Sequence, residues 1–348
     1  MAVYTTINDP SLYFNTVLWT GNDTTATAIT GVGFQPDMTW IKERSEVRSH
    51  VLFDVIRGAT VQLNPNDTAT DATVAESLQS FDADGFTVGD ATSVNKSGET
   101  YVGWNWKANG AGSANTDGSI NTTATSANTT AGFSINQWDG SDADGTLGHG
   151  LGVAPRFIII KNQDSAESWY VYHESMGNGN KMSLSDTSAA SSAADWWQDT
   201  SPTDTLIYLS GVDGINGNND MINYCWHDVQ GFSKFGSYIG NGSADGPFIY
   251  TGFRPAYVMY KTVDQVDNWE VHDNKRDTVN PMDTVLYPNA TNAESDPAST
   301  TDRLDFLSNG FKMRTASSDY NGSGNDYIYA AFAEAPFVNS EGVPCNAK

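Results

Sequence analysis

Three stretches of the chain share one hydrophobic pattern. "YVGWNWK" (Tyr101 to Lys107), "MINYCWH" (Met221 to His227) and "YIYAAFA" (Tyr327 to Ala333) each follow a turn rich in Gly, Asn, Ser and Asp. Alternation of large apolar and other residues sends successive side chains to opposite faces of a pleated strand, so each stretch predicts a half-buried strand. The large aromatics Trp106, Trp226 and Phe332 fall on one register and predict core-facing positions.

Upstream of each strand a second pattern recurs without a gap. Trp19, Gly21, Pro36 and Lys42 are matched by Trp138, Gly140, Pro155 and Lys161, and by Tyr238, Gly240, Pro255 and Lys261. The lysine ends a short apolar run in each case: "DMTWIK", "RFIIIK" and "AYVMYK". Proline lacks a donor and has a fixed φ, so these prolines belong at a strand's first residue or edge. Repeats of this kind are copies of one supersecondary unit. The frame predicts an all-β chain of three tandem antiparallel β-sandwich units of jelly-roll or lectin-like type. Unit 1 takes residues 1–107, unit 2 132–230 and unit 3 231–337, with a tail at 338–348. Residues 108–131, small and polar with a lone Ile120, predict a linker or a surface excursion. Ser183 to Asp204 predicts a short helical turn.

Composition agrees with the strand pattern. Aromatics make up 11% of the 348 residues, and 32 glycines punctuate the apolar runs, as in turn-rich β proteins. The formal net charge of -24 repels phosphates and anionic headgroups, which argues against nucleic-acid or membrane partners. Cys225 and Cys345 are too few for a disulfide framework and are expected to stay free. The N-terminal residues carry neither a basic nor an apolar signal region, and no apolar run is long enough to span a membrane.

Candidate chemistry centres on the repeated lysines. Twelve residues after each come Asp54, His173 and Asp273; three further on, units 1 and 3 have Arg57 and Arg276. A strand-end lysine facing an aspartate and an arginine forms either a charged clamp between strands or a ligand pocket. Trp169 and Trp269 lie eight residues after their lysines, where unit 1 has His50. They read either as core or as platforms for stacking a sugar face, with His173, His272 and Asp273 beside them as hydrogen-bonding partners. Asp139, Asp142 and Asp144 lack the EF-hand spacing, and read as an Asx-turn loop or a calcium site of another type. No nucleophile elbow, zincin motif or Walker loop is present, so no catalytic residue is assigned and no cofactor apart from that calcium is expected.

The strings "DPSLYFNTVLWTGN", "GFSKFGSYIGNGSADGPFIYTGFRPAYVMYK", "FLSNGFKMRT" and "YIYAAFAEAPF" resemble a family of repeated β-sandwich proteins encoded by tailed phages of aquatic, often marine, bacteria. The resemblance implies a virion structural protein of tail-fibre or appendage type that displays surfaces for host attachment. Its partners would be other virion proteins and further copies of itself, with a host surface glycan as the receptor class. It would be assembled in the bacterial cytoplasm and then released. A polysaccharide depolymerase and a capsid decoration protein are the alternatives. A stiff, elongated body is the expected consequence of tandem copying.

Overall fold

The computed structural model describes residues 5–295 and 303–346. Unit 1 contains β1 (Phe14–Thr20), β2 (Thr27–Thr30), β3 (Met38–Glu43), β4 (Val51–Asp54), β5 (Val61–Gln62), β6 (Ala72–Thr73), β7 (Leu78–Asp82), β8 (Gly85–Val88) and β9 (Thr100–Trp106). Unit 2 contains β10 (Ala124–Asn128), β11 (Phe133–Asp139), β12 (Gly145–Gly148), β13 (Phe157–Asn162), β14 (Tyr170–His173), β15 (Asn180–Ser183), β16 (Ser191–Ser192), β17 (Leu206–Leu209) and β18 (Asp220–Trp226). Unit 3 contains β19 (Ser233–Ile239), β20 (Phe248–Tyr250), β21 (Phe253–Thr262), β22 (Glu270–Asp273), β23 (Leu304–Leu307), β24 (Gly310–Met313) and β25 (Asp326–Pro336). A single helical turn precedes each closing strand: α1 (Thr92–Asn95), α2 (Asp213–Asn216) and α3 (Ser318–Asn321).

One sheet order recurs in the three units: β1-β9-β3-β4, β11-β18-β13-β14 and β19-β25-β21-β22. All pairings within these sheets are antiparallel. The register repeats as well, since Lys42 pairs with Val102, Lys161 with Ile222 and Lys261 with Ile328. A smaller sheet covers one face of each main sheet: β2-β8-β7, β12-β17 and β20-β24-β23. Between the two layers of each sandwich lies a private core, such as Ile41, Val51, Phe53, Phe86 and Tyr101 in unit 1.

The opposite faces of the three main sheets are not exposed. They share one central core drawn from all three units. Equivalent residues meet there in triplets: Met38, Phe157 and Tyr257; Trp40, Ile159 and Met259; Trp106, Trp226 and Phe332 line one apolar void of about 10 Å³. Equivalent positions can converge on a point only if the units surround a quasi-threefold axis. Trp106 touches Trp226 and Phe332 edge-on at 6.4 and 5.6 Å between ring centroids. The expected half-buried strands are therefore corrected: the last six residues of β9 and of β18, and residues 327–333 of β25, are buried on both faces. Their alternation separates two cores rather than core from water. The elongated body is corrected for the same reason, because a row of units would expose the aromatic inner faces to solvent.

One local expectation also changes. The segment from 108 to 131 is no free linker: its residues Ala124–Asn128 form β10 and pair with β11, and Ile120 bridges to Leu147. The short helical turn expected in 183–204 is present as a 3₁₀ turn at Ala194–Trp197. Cys225 is buried, and both cysteines are free.

Candidate functional site

The repeated lysines are wholly buried and shape the loop that follows each strand. Lys161 Nζ donates to the carbonyls of Asn162 (2.6 Å) and Ser165 (3.1 Å), and Lys261 Nζ to those of Thr262 (3.0 Å) and Gln265 (3.1 Å). Lys42 Nζ donates likewise to Glu43 O and, at 3.4 Å, to Glu46 O. An ammonium with three donors thus satisfies the first and fourth carbonyls of an otherwise irregular turn. The lysines do not join the aspartates and arginines in one clamp, which corrects that expectation.

Those aspartates and arginines form their own buried pairs. Arg57 Nε meets Asp54 Oδ2 at 2.6 Å and Arg276 Nε meets Asp273 Oδ2 at 2.5 Å. Each pair also takes a donor from a neighbouring unit: Tyr224 Oη donates to Asp54 Oδ2 (2.7 Å), and Trp104 Nε1 to Asp273 Oδ2 (3.0 Å). At the third seam His173 Nε2 lies 3.3 Å from Tyr329 O. Burial pushes the Asp273 carboxyl up, but the Arg276 guanidinium beside it holds it below its ordinary value.

The lysine-plus-eight residues close the same seams from the other side. Trp269 Nε1 donates to Ser183 O (2.8 Å), Trp169 Nε1 to Asn64 O (3.0 Å), and His50 Nε2 lies 3.0 Å from Tyr287 O. Unit 3 therefore reaches unit 2, unit 2 reaches unit 1, and unit 1 reaches unit 3. Sugar stacking on these rings is corrected: Trp169 and Trp269 are 0% and 1% exposed, and His173, His272 and Asp273 are buried as well. No ring face is open to a ligand, and the five residues are divided among separate seams and cores.

In the loop read as an Asx turn or a calcium site, two carboxylates accept from main-chain donors. Asp142 Oδ1 accepts from Asn218 N (2.8 Å) and Asp144 Oδ1 from Gly211 N (3.2 Å). Their carboxylates hold turns, and among the described residues no group of three or more His, Cys, Asp and Glu is placed to hold a metal.

Sequence reading missed a set of repeated asparagines. Asn95, Asn216 and Asn321, each the last residue of a helical turn, are wholly buried. Asn321 Nδ2 donates to Asn241 Oδ1, Ser243 O and Thr315 O at 2.9, 2.7 and 2.9 Å, and Asn95 Nδ2 bonds the matching loop of unit 1 through Thr24 O (2.9 Å). The signal was present as "VNK", "ING" and "YNG" before each closing strand. The aromatic-x-Gly positions belong to this junction. A Cβ on Gly21, Gly140 or Gly240 would lie 2.1, 1.7 or 2.1 Å from the carbonyl oxygen of the residue after that asparagine, so only glycine fits.

Unit 3 alone carries a buried polar cluster beside His272. Tyr260 Oη donates to Glu270 Oε2 (2.7 Å) and lies 3.2 Å from His272 Nε2. Burial pushes the Glu270 carboxyl up to about 8, so at neutral pH it is a neutral acid. Perturbed carboxylates often mark catalysis. Here Tyr260, Glu270 and His272 are buried between the layers of the sandwich.

Buried titrating groups give a pH dependence whose sign can be worked out. Burial pushes all five histidines down, His149 and His173 to about 4. Between about pH 4 and the ordinary histidine value near 6.5 the unfolded chain binds protons that the folded chain does not, so stability rises with pH. Burial pushes Lys42, Lys161 and Lys261 down to about 8. From there towards the ordinary lysine value near 10.4 stability rises again. Glu270 opposes the first of these rises, since between its ordinary value and about 8 the folded chain keeps a proton that the unfolded chain has lost. Thermal melts across pH should show an acid limb and a second rise from about pH 8 to 9.5. A melting temperature that falls through that second window would contradict the burial of the three ammonium groups.

Open clefts lie in unit 2, along Asp142, Asp144, Asp195 and Asp199, and where unit 2 meets unit 3. A cleft of about 410 Å³ is lined by Asp228, Lys234, Tyr250, Thr251, Phe337 and Val338, among others. Lys234 Nζ pairs with Asp228 Oδ2 at 2.6 Å, and Tyr250 is 60% exposed.

A family model described as "Domain of unknown function (DUF7483)" matches residues 9–336. The chain belongs to the DUF7483 family. The match begins just before β1 and ends with β25, so the DUF7483 domain comprises all three units and the ring they form. No curated protein and no solved structure matches this DUF7483 chain.

Proposed function

We propose that this DUF7483 protein is a non-catalytic virion structural protein of appendage type, as its resemblance to phage proteins implies. The observation that supports the reading most is the use made of the repeated polar positions. Lys42, Lys161, Lys261, Asp54, Asp273, Trp169 and Trp269 all serve loop closure or the seams. A chain that invests its repeated chemistry in holding one rigid body together suits a particle component. A quasi-threefold body also suits symmetric assembly with other virion proteins or with further copies of itself. Assembly takes place in the bacterial cytoplasm, followed by release with the particle, and needs no cofactor.

The test is quantitative mass spectrometry of particles purified on a density gradient from a lysate of the producing cells. The reading expects the chain to band with the particles in a fixed ratio to their major proteins. Its absence from the particles would overturn it. Release of reducing sugar from host polysaccharide by the purified chain would favour the depolymerase alternative instead.

A further inference from the structure

The three main sheets differ at their first edge. In unit 2 the edge strand β11 is covered by β10, which pairs from Ala124↔Gln137 to Asn128↔Phe133. In unit 3 the equivalent strand β19 is, among the described residues, the end of its sheet and pairs with β25. Its first main-chain groups are taken by the preceding loop: Ser233 N donates to Val229 O (2.9 Å) and Phe235 N to Asp228 Oδ1 (2.8 Å). The two-residue period that turns Ser233 and Phe235 outward also turns the N–H and C=O groups of Ser237 and Ile239 outward, and both residues are exposed. Ile239, beside Tyr238 on β19, is 63% exposed, and Phe248 and Tyr250 on the outer face of the smaller sheet are 46 and 60% exposed. Tyr250 and Phe337 line the cleft that begins at Ser233 and Lys234.

We propose that the outer edge of β19 accepts an extended, uncharged, small-residue strand of a partner protein, antiparallel to β19 and flanked by the cleft at Tyr250. Two observations select that occupant. The same edge in unit 2 already carries such a strand, "ATSAN", so the repeat shows what its geometry accepts. The charges of the cleft are paired with one another, and the chain carries -24 overall, so an acidic strand is repelled. Main-chain hydrogen bonds supply affinity in such strand addition, and the pockets beside the edge supply selectivity. The proposal stands independently of the virion reading.

The test uses the full chain and a fluorescein-labelled peptide of residues 121–130, "NTTATSANTT", followed by fluorescence polarisation to millimolar protein. Saturable binding is expected. Ser237→Pro removes the edge N–H at a position where an edge strand tolerates proline, and should weaken binding at least tenfold with an unchanged melting curve, whereas Ser237→Ala should bind as the wild type does. If Ser237→Pro does not fold, Tyr250→Ala on the exposed rim serves in its place, with weakened binding expected. No saturable binding to the wild type, or equal binding by a folded Ser237→Pro, overturns the proposal. Self-association of the peptide-free wild type that Ser237→Pro abolishes would assign the edge to a second copy and overturn it as well.

Discussion

Trp106→Ala is expected to destabilise the protein by about 3 to 5 kcal/mol, the usual cost of emptying a large buried aromatic site. It should do so in one transition that involves all three units. The ring of Trp106 packs on Phe14 in its own unit (5.0 Å between centroids), on Trp226 of unit 2 and on Tyr257 and Phe332 of unit 3. Its removal leaves a void on the axis, where all three sheets lose contacts at once. Denaturant melts followed by tryptophan fluorescence and by far-UV circular dichroism should therefore shift together. If the two probes separate, with unit 1 melting alone, the units have independent cores and the shared one does not exist.

Arg276→Met is expected to cost a similar amount, about 3 to 5 kcal/mol, because it strands a buried carboxylate. Arg276 binds Asp273 Oδ2, Glu294 Oε1 (3.0 Å) and Val271 O (2.8 Å), and its guanidinium carbon lies 5.8 Å from the centre of the Trp104 ring of unit 1. Asp273 in turn accepts from Trp104, so the substitution weakens the seam that closes the ring between units 3 and 1. Adding Asp273→Asn should recover part of the loss by removing the uncompensated charge. Glu174→Ala, which removes the exposed partner of Arg156, should change stability by less than about 1 kcal/mol. Urea melts of the three variants distinguish these outcomes; a loss for Arg276→Met no larger than that for Glu174→Ala would show that the buried pair does not hold the seam.

The repeat frame was legible because its residues answer to local geometry. A lysine that caps its own loop, a glycine pressed against a carbonyl and an aromatic on a closing strand are each fixed by the unit they sit in, so their spacing survived in all three copies. The shared core was not legible. Alternation in "YVGWNWK" shows that the strand has two faces, but not whether the Trp104 and Trp106 face meets water, a covering layer or another unit. Core was one of the two readings of Trp169 and Trp269, but their role at the seams was not legible for a related reason: their partners are the main-chain carbonyls of Asn64 and Ser183, which any residue could supply and which leave no mark on the sequence. The strand β10 escaped notice because "ATSAN" has no apolar face and is held as an edge strand by main-chain pairing.

Closure of three units around one axis is tested most directly by small-angle X-ray scattering of the purified chain in dilute solution. A single compact body of this length has a radius of gyration of about 20 Å, whereas three units of about 110 residues set end to end would give about 28 Å. Closure predicts the smaller value, with a symmetric distance distribution that has one maximum. A value near the larger one, with a long tail of distances, would contradict the ring.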